Sequence, residues 1–447
     1  MNIHILGICG TFMGSLALLA RQLGHVVTGC DANVYPPMST QLQSAGITLI
    51  EGYQPSDLPI ADIYLIGNAM SRGNPAVEYI LDQNLPYSSG PQWLGEHLLM
   101  NKWVLAVAGT HGKTTTATML AKILDDAGLA PGFLIGGVPK DFEESARLGD
   151  TDFFVIEADE YDTAFFDKRS KFIHYHARSL ILNNLEFDHA DIFRDLEAIK
   201  AQFQHLIKTL PSGARILYNG VDANIVDVVA RGCWSESEAI GTSHHLHAQD
   251  IADDGSSFTL VLGEERAQVT WGMSGMHNVS NALHAVAAAR HVGITLQVSA
   301  ESLSQFGGVK RRMEFRGECA GVSVYDDFAH HPTAIATTLA GAKNKFCGQG
   351  ERLIAVLEPR SNTMKMGCHQ QVLREALSLA DEVYALQVPG ITWDVREALG
   401  HSAHVLDNVP AMVEKIVANH HRGDQVVVMS NGAFGAIHQR LLDALAE

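Results

Sequence analysis

The sequence predicts an α/β protein of three domains. Three observations carry this expectation. Short apolar runs alternate with stretches of helical periodicity, the alternation falls into three series along 447 residues, and one strand-to-helix turn is dense in glycine. A chain of that length exceeds what one hydrophobic core serves, since domains cluster near about 100 to 150 residues.

The first series comprises apolar runs at 3–6, 26–29 and 64–66, with a helical pattern over 13–23. Runs at 104–108, 153–156 and 180–182 make the second series, and 322–325, 353–357, 382–386 and 425–429 the third. Strands joined through helices pair in parallel, because a crossover helix carries the chain back to the same end of the sheet. Two connectors divide the series: 86–91, for its Pro and Gly, and 306–316, where Gly307 and Gly308 precede a basic cluster. Domains are therefore expected at 1–97, 98–314 and 315–447. Residues 214–271, with polar alternation and the turn Asp253-Asp254-Gly255, are expected to form a small antiparallel elaboration of the middle domain.

Composition excludes several function classes. Apolar residues make up 46% and charged residues 18%, a globular balance. The formal charge of -18 argues against a nucleic-acid or anionic-membrane partner, which would demand a basic surface. Six cysteines without a CxxC pair suggest neither a zinc site nor a disulfide framework, so a cytoplasmic setting is expected. The apolar start has no Lys or Arg before Arg21 and is broken by Gly7, Gly10 and Gly14, unlike a signal peptide. No run reaches the ~20 apolar residues of a membrane span. The cluster Ser243-His244-His245-Leu246-His247 lacks carboxylate or cysteine companions and is not expected to hold a metal.

The run from Val104 to Ala108 leads straight into Gly109-Thr110-His111-Gly112-Lys113-Thr114-Thr115-Thr116 and a helical pattern. In such a turn backbone N–H groups close on phosphate oxygens and the helix N-terminus favours the anion. Lys113 can reach the terminal phosphates and Thr114 can ligate Mg²⁺. Val107 stands where the longer form of this loop has glycine, so the match is to a shorter Gly-x-x-Gly-Lys-Thr variant. A metal there needs an acidic partner at the end of a neighbouring strand, and Glu157, directly after the run 153–156, is the candidate. Asp159 and Glu160 either share that site or form a solvated acidic turn. After the run 180–182 comes Asn183-Asn184-Leu185-Glu186-Phe187-Asp188-His189, at the carboxyl edge where parallel sheets gather ligands. By ligand chemistry alone His189 is a capping or substrate-contacting residue, since Mg²⁺ prefers oxygen.

These segments, with Gly275-Met276-His277-Asn278-Val279-Ser280-Asn281, Arg312-Met313-Glu314 and residues 326–333, occur in the order found in the Mur ligase superfamily, which the whole chain resembles. The resemblance implies a Rossmann-like N-terminal domain that binds a UDP-sugar, a central phosphate-loop ATPase domain with a mostly parallel sheet, and a Rossmann-like C-terminal domain that presents an amine. It implies ATP and Mg²⁺ as cofactors, with Gly109, Thr110, His111, Gly112, Lys113, Thr114 and Thr115 around the phosphates. Thr114 and Glu157 would hold one Mg²⁺ and His189 a second. His277, Asn278 and Asn281 would face adenine, Arg312 the γ-phosphate, and Asp327 with His330 the ribose and phosphates. Lys113, Glu157, His189, Arg312 and His330 are the residues expected to carry catalysis. Apart from the resemblance, 277–289 is only a helix start with Asn278 as its cap. Several members carry a carbamylated lysine downstream of the His189 position; Lys200 is displaced from it by about one helical turn and is not assigned that role.

Residues 7–14, Gly7-Ile8-Cys9-Gly10-Thr11-Phe12-Met13-Gly14, follow the first strand and open a helix. On spacing alone they are an ordinary tight turn or an anion site. The resemblance makes Gly10, Thr11, Phe12 and Met13 the site of the UDP diphosphate. Asp31 and Asn68 are further expected UDP-sugar contacts, as is Arg72 unless it forms a surface ion pair. Arg360, with Lys365, suits a substrate carboxylate. Segments 7–14, 31–40, 89–93, 358–366 and 429–435 resemble the peptide-adding branch of the family. That branch implies UDP-N-acetylmuramate and the murein tripeptide L-alanyl-γ-D-glutamyl-meso-diaminopimelate as partners. The alternatives are ligation of UDP-N-acetylmuramate to L-alanine, and a non-catalytic sensor of nucleotide sugars.

Overall fold

The computed structural model describes residues 1–34, 38–348 and 350–447. Tyr35, Pro36 and Pro37, part of one segment that carries the family resemblance, lie outside the described residues.

The first sheet is all parallel. Strands β1 (Asn2–Leu6), β2 (Val26–Asp31), β3 (Thr48–Glu51), β4 (Ile63–Ile66) and β5 (Tyr87–Ser89) lie in the order β3-β2-β1-β4-β5. The order reverses at β1, so a crevice opens beyond its carboxyl end, where ligands of such sheets collect. The helix Thr11–Gln22 starts there and buries Met13, Leu16, Ala17 and Ala20, an i, i+3, i+4, i+7 stripe, against the sheet.

The central sheet contains β6 (Trp103–Ala108), β7 (Gly132–Leu134), β8 (Ala146–Arg147) and β9 (Phe153–Ala158). A side hairpin, β10 (Asp162–Ala164) with β11 (Asp167–Ser170), follows, and β12 (Ser179–Leu182), β13 (Arg215–Asn219) and β14 (Glu236–Ile240) return to the sheet. Its order is β14-β13-β12-β6-β9-β7-β8, parallel except for β8. Glu157 thus lies inside β9 rather than after it. The expected antiparallel elaboration over 214–271 is corrected in half its length: β13 and β14 pair in parallel as extensions of the main sheet. Only β15 (His247–Gln249), β16 (Ser257–Leu262) and β17 (Glu265–Thr270) form an antiparallel sheet. The polar look of β14 comes from its place at the sheet edge, where Glu236 and Ser237 face water.

The third sheet holds β18 (Glu314–Cys319), β19 (Val322–Asp327), β20 (Leu353–Leu357), β21 (Glu382–Leu386), β22 (Ala403–Leu406) and β23 (Gln425–Met429). They lie in the order β18-β19-β23-β20-β21-β22, and only β18 runs antiparallel to its neighbour. The passage into this sheet is sharply turned: Arg311 and Met313 have φ of 61° and 47°. The Arg311 guanidinium bonds the carbonyls of Ser430 (2.8 Å) and Gly432 (2.7 Å), which fixes the turn. Among the described residues no helix is long and apolar enough to cross a membrane.

The helix Leu196–Thr209 shows how the middle core is closed. Asp195 caps it by accepting from Ala198 N–H at 2.8 Å, and Ile199, Phe203, Leu206 and Ile207 form its buried stripe. Phe203 meets Phe172 edge to face at 5.5 Å. Phe203→Ala is expected to cost about 3–5 kcal/mol of stability, measured as a lower denaturant midpoint, because a rigid, fully buried site cannot collapse around the lost ring.

Candidate active site

The phosphate loop joins β6 to the helix Lys113–Asp126, with Gly112 (φ 78°) as the N-cap. That left-handed conformation suits glycine, and a Cβ at Gly112 would collide with the Asn281 carboxamide. The loop is clamped to the segment after β12, the neighbour of β6 in the sheet. Thr110 N–H donates to the Asn184 carbonyl (3.0 Å) and His111 N–H to Asn184 Oδ1 (2.7 Å). Asn184 Nδ2 donates back to the His111 carbonyl (3.1 Å), and Glu186 N–H to Thr110 Oγ1 (2.9 Å). These hydrogen bonds hold the loop to the neighbouring segment, and a loop braced by its own fold loses less freedom on binding.

Inside this frame lies a buried charge cluster. Lys113 Nζ donates to the Gly109 carbonyl (2.8 Å) and to Glu160 Oε2 (2.9 Å), and lies 3.6 Å from Asp159. Glu160, only 1% exposed, also binds His189 Nε2 at 3.0 Å. Burial works against both charges of the Lys113–Glu160 pair. The neighbouring acids nonetheless hold the Lys113 ammonium far above its usual range, and Lys113 with His189 draws the Glu160 carboxyl down to about 2. Burial also lowers His189, but the Glu160 hydrogen bond and charge outweigh it and raise the imidazole above 6.5. Of the two acids left open by the sequence, Glu160 is thus no solvated turn residue.

Glu157 is held differently. Its Oε1 accepts from Thr114 Oγ1 (2.9 Å) and its Oε2 from Gly136 N–H (2.7 Å). Burial and the charge of Asp159 push its carboxyl up. Three acids face Lys113 and His189, so the cluster leans negative and offers converging oxygens, a donor set that fits Mg²⁺. Thr114 and Glu157 would hold such an ion, which supplies positive charge to the phosphate oxygens. His189, engaged with Glu160, offers only nitrogen.

The adenine candidates sit at the start of the helix Met276–His291, whose N-cap is Gly275 rather than Asn278. Asn278 Nδ2 instead donates to the Ser274 carbonyl (2.7 Å), and Asn281 Nδ2 to Asn278 Oδ1 (3.2 Å). His277 is pulled down to about 4 by burial and by Arg312 and His111, so it is neutral. Arg312 lies over the Phe328 ring at 4.9 Å, and burial lowers its pKa despite Asp327 and Glu157 nearby. Asp327 accepts from Met313 N–H and Ala329 N–H, each at 2.8 Å. His330 Nδ1 bonds the Phe328 carbonyl at 2.9 Å. Its Nε2 stands 4.0 Å from Asp188.

The third sheet's loops meet this site directly. Thr363 Oγ1 donates to Asp188 (2.7 Å), Asn362 Nδ2 to Asp191 (2.8 Å) and Thr333 Oγ1 to Glu186 (3.0 Å). At the first sheet, Gly10 caps the helix Thr11–Gln22, so Thr11, Phe12 and Met13 form its first turn. Asp31 Oδ2 accepts from Cys9 N–H at 2.9 Å and braces the turn. Lys171, from the central region, places its Nζ 5.1 Å from the Phe12 ring. Asn68 is exposed, and Arg72 forms the surface ion pair with Glu78 at 2.8 Å that the sequence left as its alternative. Arg360 is exposed and lies against Gly432, whose missing side chain leaves room for the guanidinium; Lys365 is half-buried in the short helix Asn362–Lys365. Lys200 is paired with Asp227 (2.9 Å) and Glu197 (3.3 Å), away from any bridging role.

Comparison with known proteins accords with this geometry. Residues 2–102, 107–289 and 311–432 match the models of the Mur ligase family catalytic domain, the Mur ligase middle domain and the Mur ligase glutamate ligase domain. The chain belongs to the Mur ligase family. It is an ATP-dependent ligase that forms an amide bond. It is 57% identical over 452 residues to the UDP-N-acetylmuramate–L-alanyl-γ-D-glutamyl-meso-2,6-diaminoheptandioate ligase of Escherichia coli K12, covering 100% of this chain and 99% of that protein. A murein peptide ligase structure from Psychrobacter arcticus is 49% identical, with TM-score 0.78, over 100% of this chain and 99% of the other. A UDP-N-acetylmuramate–L-alanine ligase of Myxococcus xanthus is 33% identical over 81% of this chain and 75% of its own length.

Sequence reasoning passed over Asn184, Glu186, Asp188, Thr363 and Lys171. The first three lie in a segment singled out for its place after β12, but nothing local distinguishes a clamp from a ligand. Thr363 and Lys171 act across domains, which no local pattern reports.

Two outcomes are expected of the charge cluster. Lys113→Ala abolishes turnover and, by stranding buried Glu160, costs about 3–5 kcal/mol; Lys113→Met with Glu160→Gln recovers the melting temperature and stays inactive. His189, raised in the folded state, contributes stability that is complete below about pH 6.5 and fades as pH rises through its folded value. In metal-free buffer, the melting-temperature advantage of wild type over His189→Gln should therefore be larger near pH ~6 than near pH ~9.

Proposed function

We propose that this ligase joins L-alanyl-γ-D-glutamyl-meso-diaminopimelate to UDP-N-acetylmuramate, in the cytoplasm, using Mg²⁺ with its ATP. The supporting observation is the 57% identity, end to end, to a relative named for that reaction, against about a third for relatives named for L-alanine ligation. The proposed working units are 1–97 for the nucleotide sugar, 98–314 for ATP and 315–447 for the amine.

A carboxylate resists amines because oxide is a hopeless leaving group, so it must first be phosphorylated. Lys113, at the loop that encloses the phosphates, and Arg312 stabilise charge as a carboxylate oxygen bonds the γ-phosphorus and ADP departs. His277, Asn278 and Asn281 line the adenine side, and Asp327 and His330 the ribose side. The acyl phosphate so formed is attacked at carbon by the alanyl nitrogen. The tetrahedral intermediate then expels phosphate and sheds the amine proton. Gly10, Thr11, Phe12 and Met13 hold the UDP diphosphate, aided by Asp31 and Asn68; Arg72 reaches it by leaving Glu78. Arg360 and Lys365 receive tripeptide carboxylates, a need that free alanine has less of.

Phosphate release by the purified enzyme tests this. Release with UDP-N-acetylmuramate and tripeptide, and only background release with L-alanine, is the expected result. Alanine-dependent release would move the enzyme to the alanine-adding reaction, and no release with either would leave a sensor.

A further inference from the structure

Beside the phosphate loop, and apart from Thr114, Glu157 and His189, three ligand-type side chains converge across the junction of the second and third sheets. His111 comes from the phosphate loop, Glu186 from the segment after β12, and His331 from the segment after β19. One ligand atom from each lies within 4.8 Å of the other two. His111 Nε2 is 2.8 Å from Glu186 Oε2, and His331 Nδ1 is 3.4 Å from that same oxygen. Around one tetrahedral Zn²⁺, with bonds of roughly 2.0–2.1 Å, ligand atoms stand about 3.3 Å apart, so changes in separation from a few tenths of an ångström to at most about 1.5 Å would bring the three into one shell.

Imidazole nitrogens without partners crowd this place. His331 is 5% exposed, and its buried Nε2 has no hydrogen-bond partner among the described residues. Its Nδ1 accepts only a long bond, 3.3 Å, from Thr333 N–H. The ring of His369 meets that of His331 edge-on at 4.4 Å, and its own buried Nε2 is likewise without a partner. Burying an imidazole nitrogen without a partner costs free energy; an ion held at His331 Nδ1 leaves its Nε2 unpaired on the far side of the ring, whereas coordination by His369 Nε2 would satisfy that nitrogen.

We propose that His111, Glu186 and His331 form a second cation site, for a borderline transition-metal ion of the Zn²⁺ class, with His369 able to complete the shell. Two imidazoles and one carboxylate are a donor set for Zn²⁺, Co²⁺ or Ni²⁺ and a poor one for Mg²⁺, which keeps the site chemically separate from the oxygens of Thr114 and Glu157. Because His111 and Glu186 belong to the central region and His331 to the third sheet's region, a bound ion would strap the two together beside the phosphate loop.

The test is calorimetric titration of the EDTA-treated, full-length enzyme with ZnCl₂, free of Mg²⁺ and nucleotide, with Co²⁺ absorption as the spectroscopic check. One tight site is expected, with an intense tetrahedral Co²⁺ spectrum. His331→Ala and, independently, Glu186→Gln should each weaken it by roughly 10- to 100-fold or abolish it. The paired change His245→Ala with His247→Ala, in the separate histidine cluster, should leave it intact. Tight Zn²⁺ binding that survives both His331→Ala and Glu186→Gln, loss of the site on changing His245 and His247, or no tight binding by the wild type would each overturn the proposal.

Discussion

The buried contact of Lys113 with Glu160 is the constraint around which the centre of this molecule is arranged. An ammonium and a carboxylate that have both left water must be matched and hydrogen-bonded, or the fold loses several kcal/mol. Gly109 and His189 complete the bonding of this pair. Two loops are thereby locked at the carboxyl ends of β6 and β9, and a third, after β12, is drawn in through His189. The same pairing leaves Glu157 and Asp159 without full charge compensation, and burial together with Asp159 pushes the Glu157 carboxyl up.

That polar centre depends on the parallel sheet beneath it. Strands β6, β9 and β12 are neighbours, so their carboxyl ends deliver the phosphate loop, the acids and the Asn183–His189 segment to one edge. None of these groups is near another in the chain; Lys113 and Glu160 are 47 residues apart. Hydrophobic burial of the strands supplies the energy, and the polar edge spends some of it on function.

The third sheet contributes by contact rather than by core. Thr333, Asn362 and Thr363 bond the carboxylates of Glu186, Asp191 and Asp188 through single side-chain hydrogen bonds, each worth about 1.5–3 kcal/mol. Contacts of that size can be made and broken in a catalytic cycle. Domain closure over bound substrates is the natural use of such an interface.

By itself the sequence determined the α/β class, the three strand series, the phosphate loop and the family, because each is written in local periodicity or in a short contiguous motif. It named Lys113, Thr114 and Glu157 for the same reason. Tertiary structure alone decided that Glu160 meets Lys113, that β13 and β14 extend the parallel sheet, that Gly275 rather than Asn278 caps its helix, and that Arg72 rests on Glu78. Each of these turns on a choice among chemically similar options, and only the distance and burial set by the whole fold select between them.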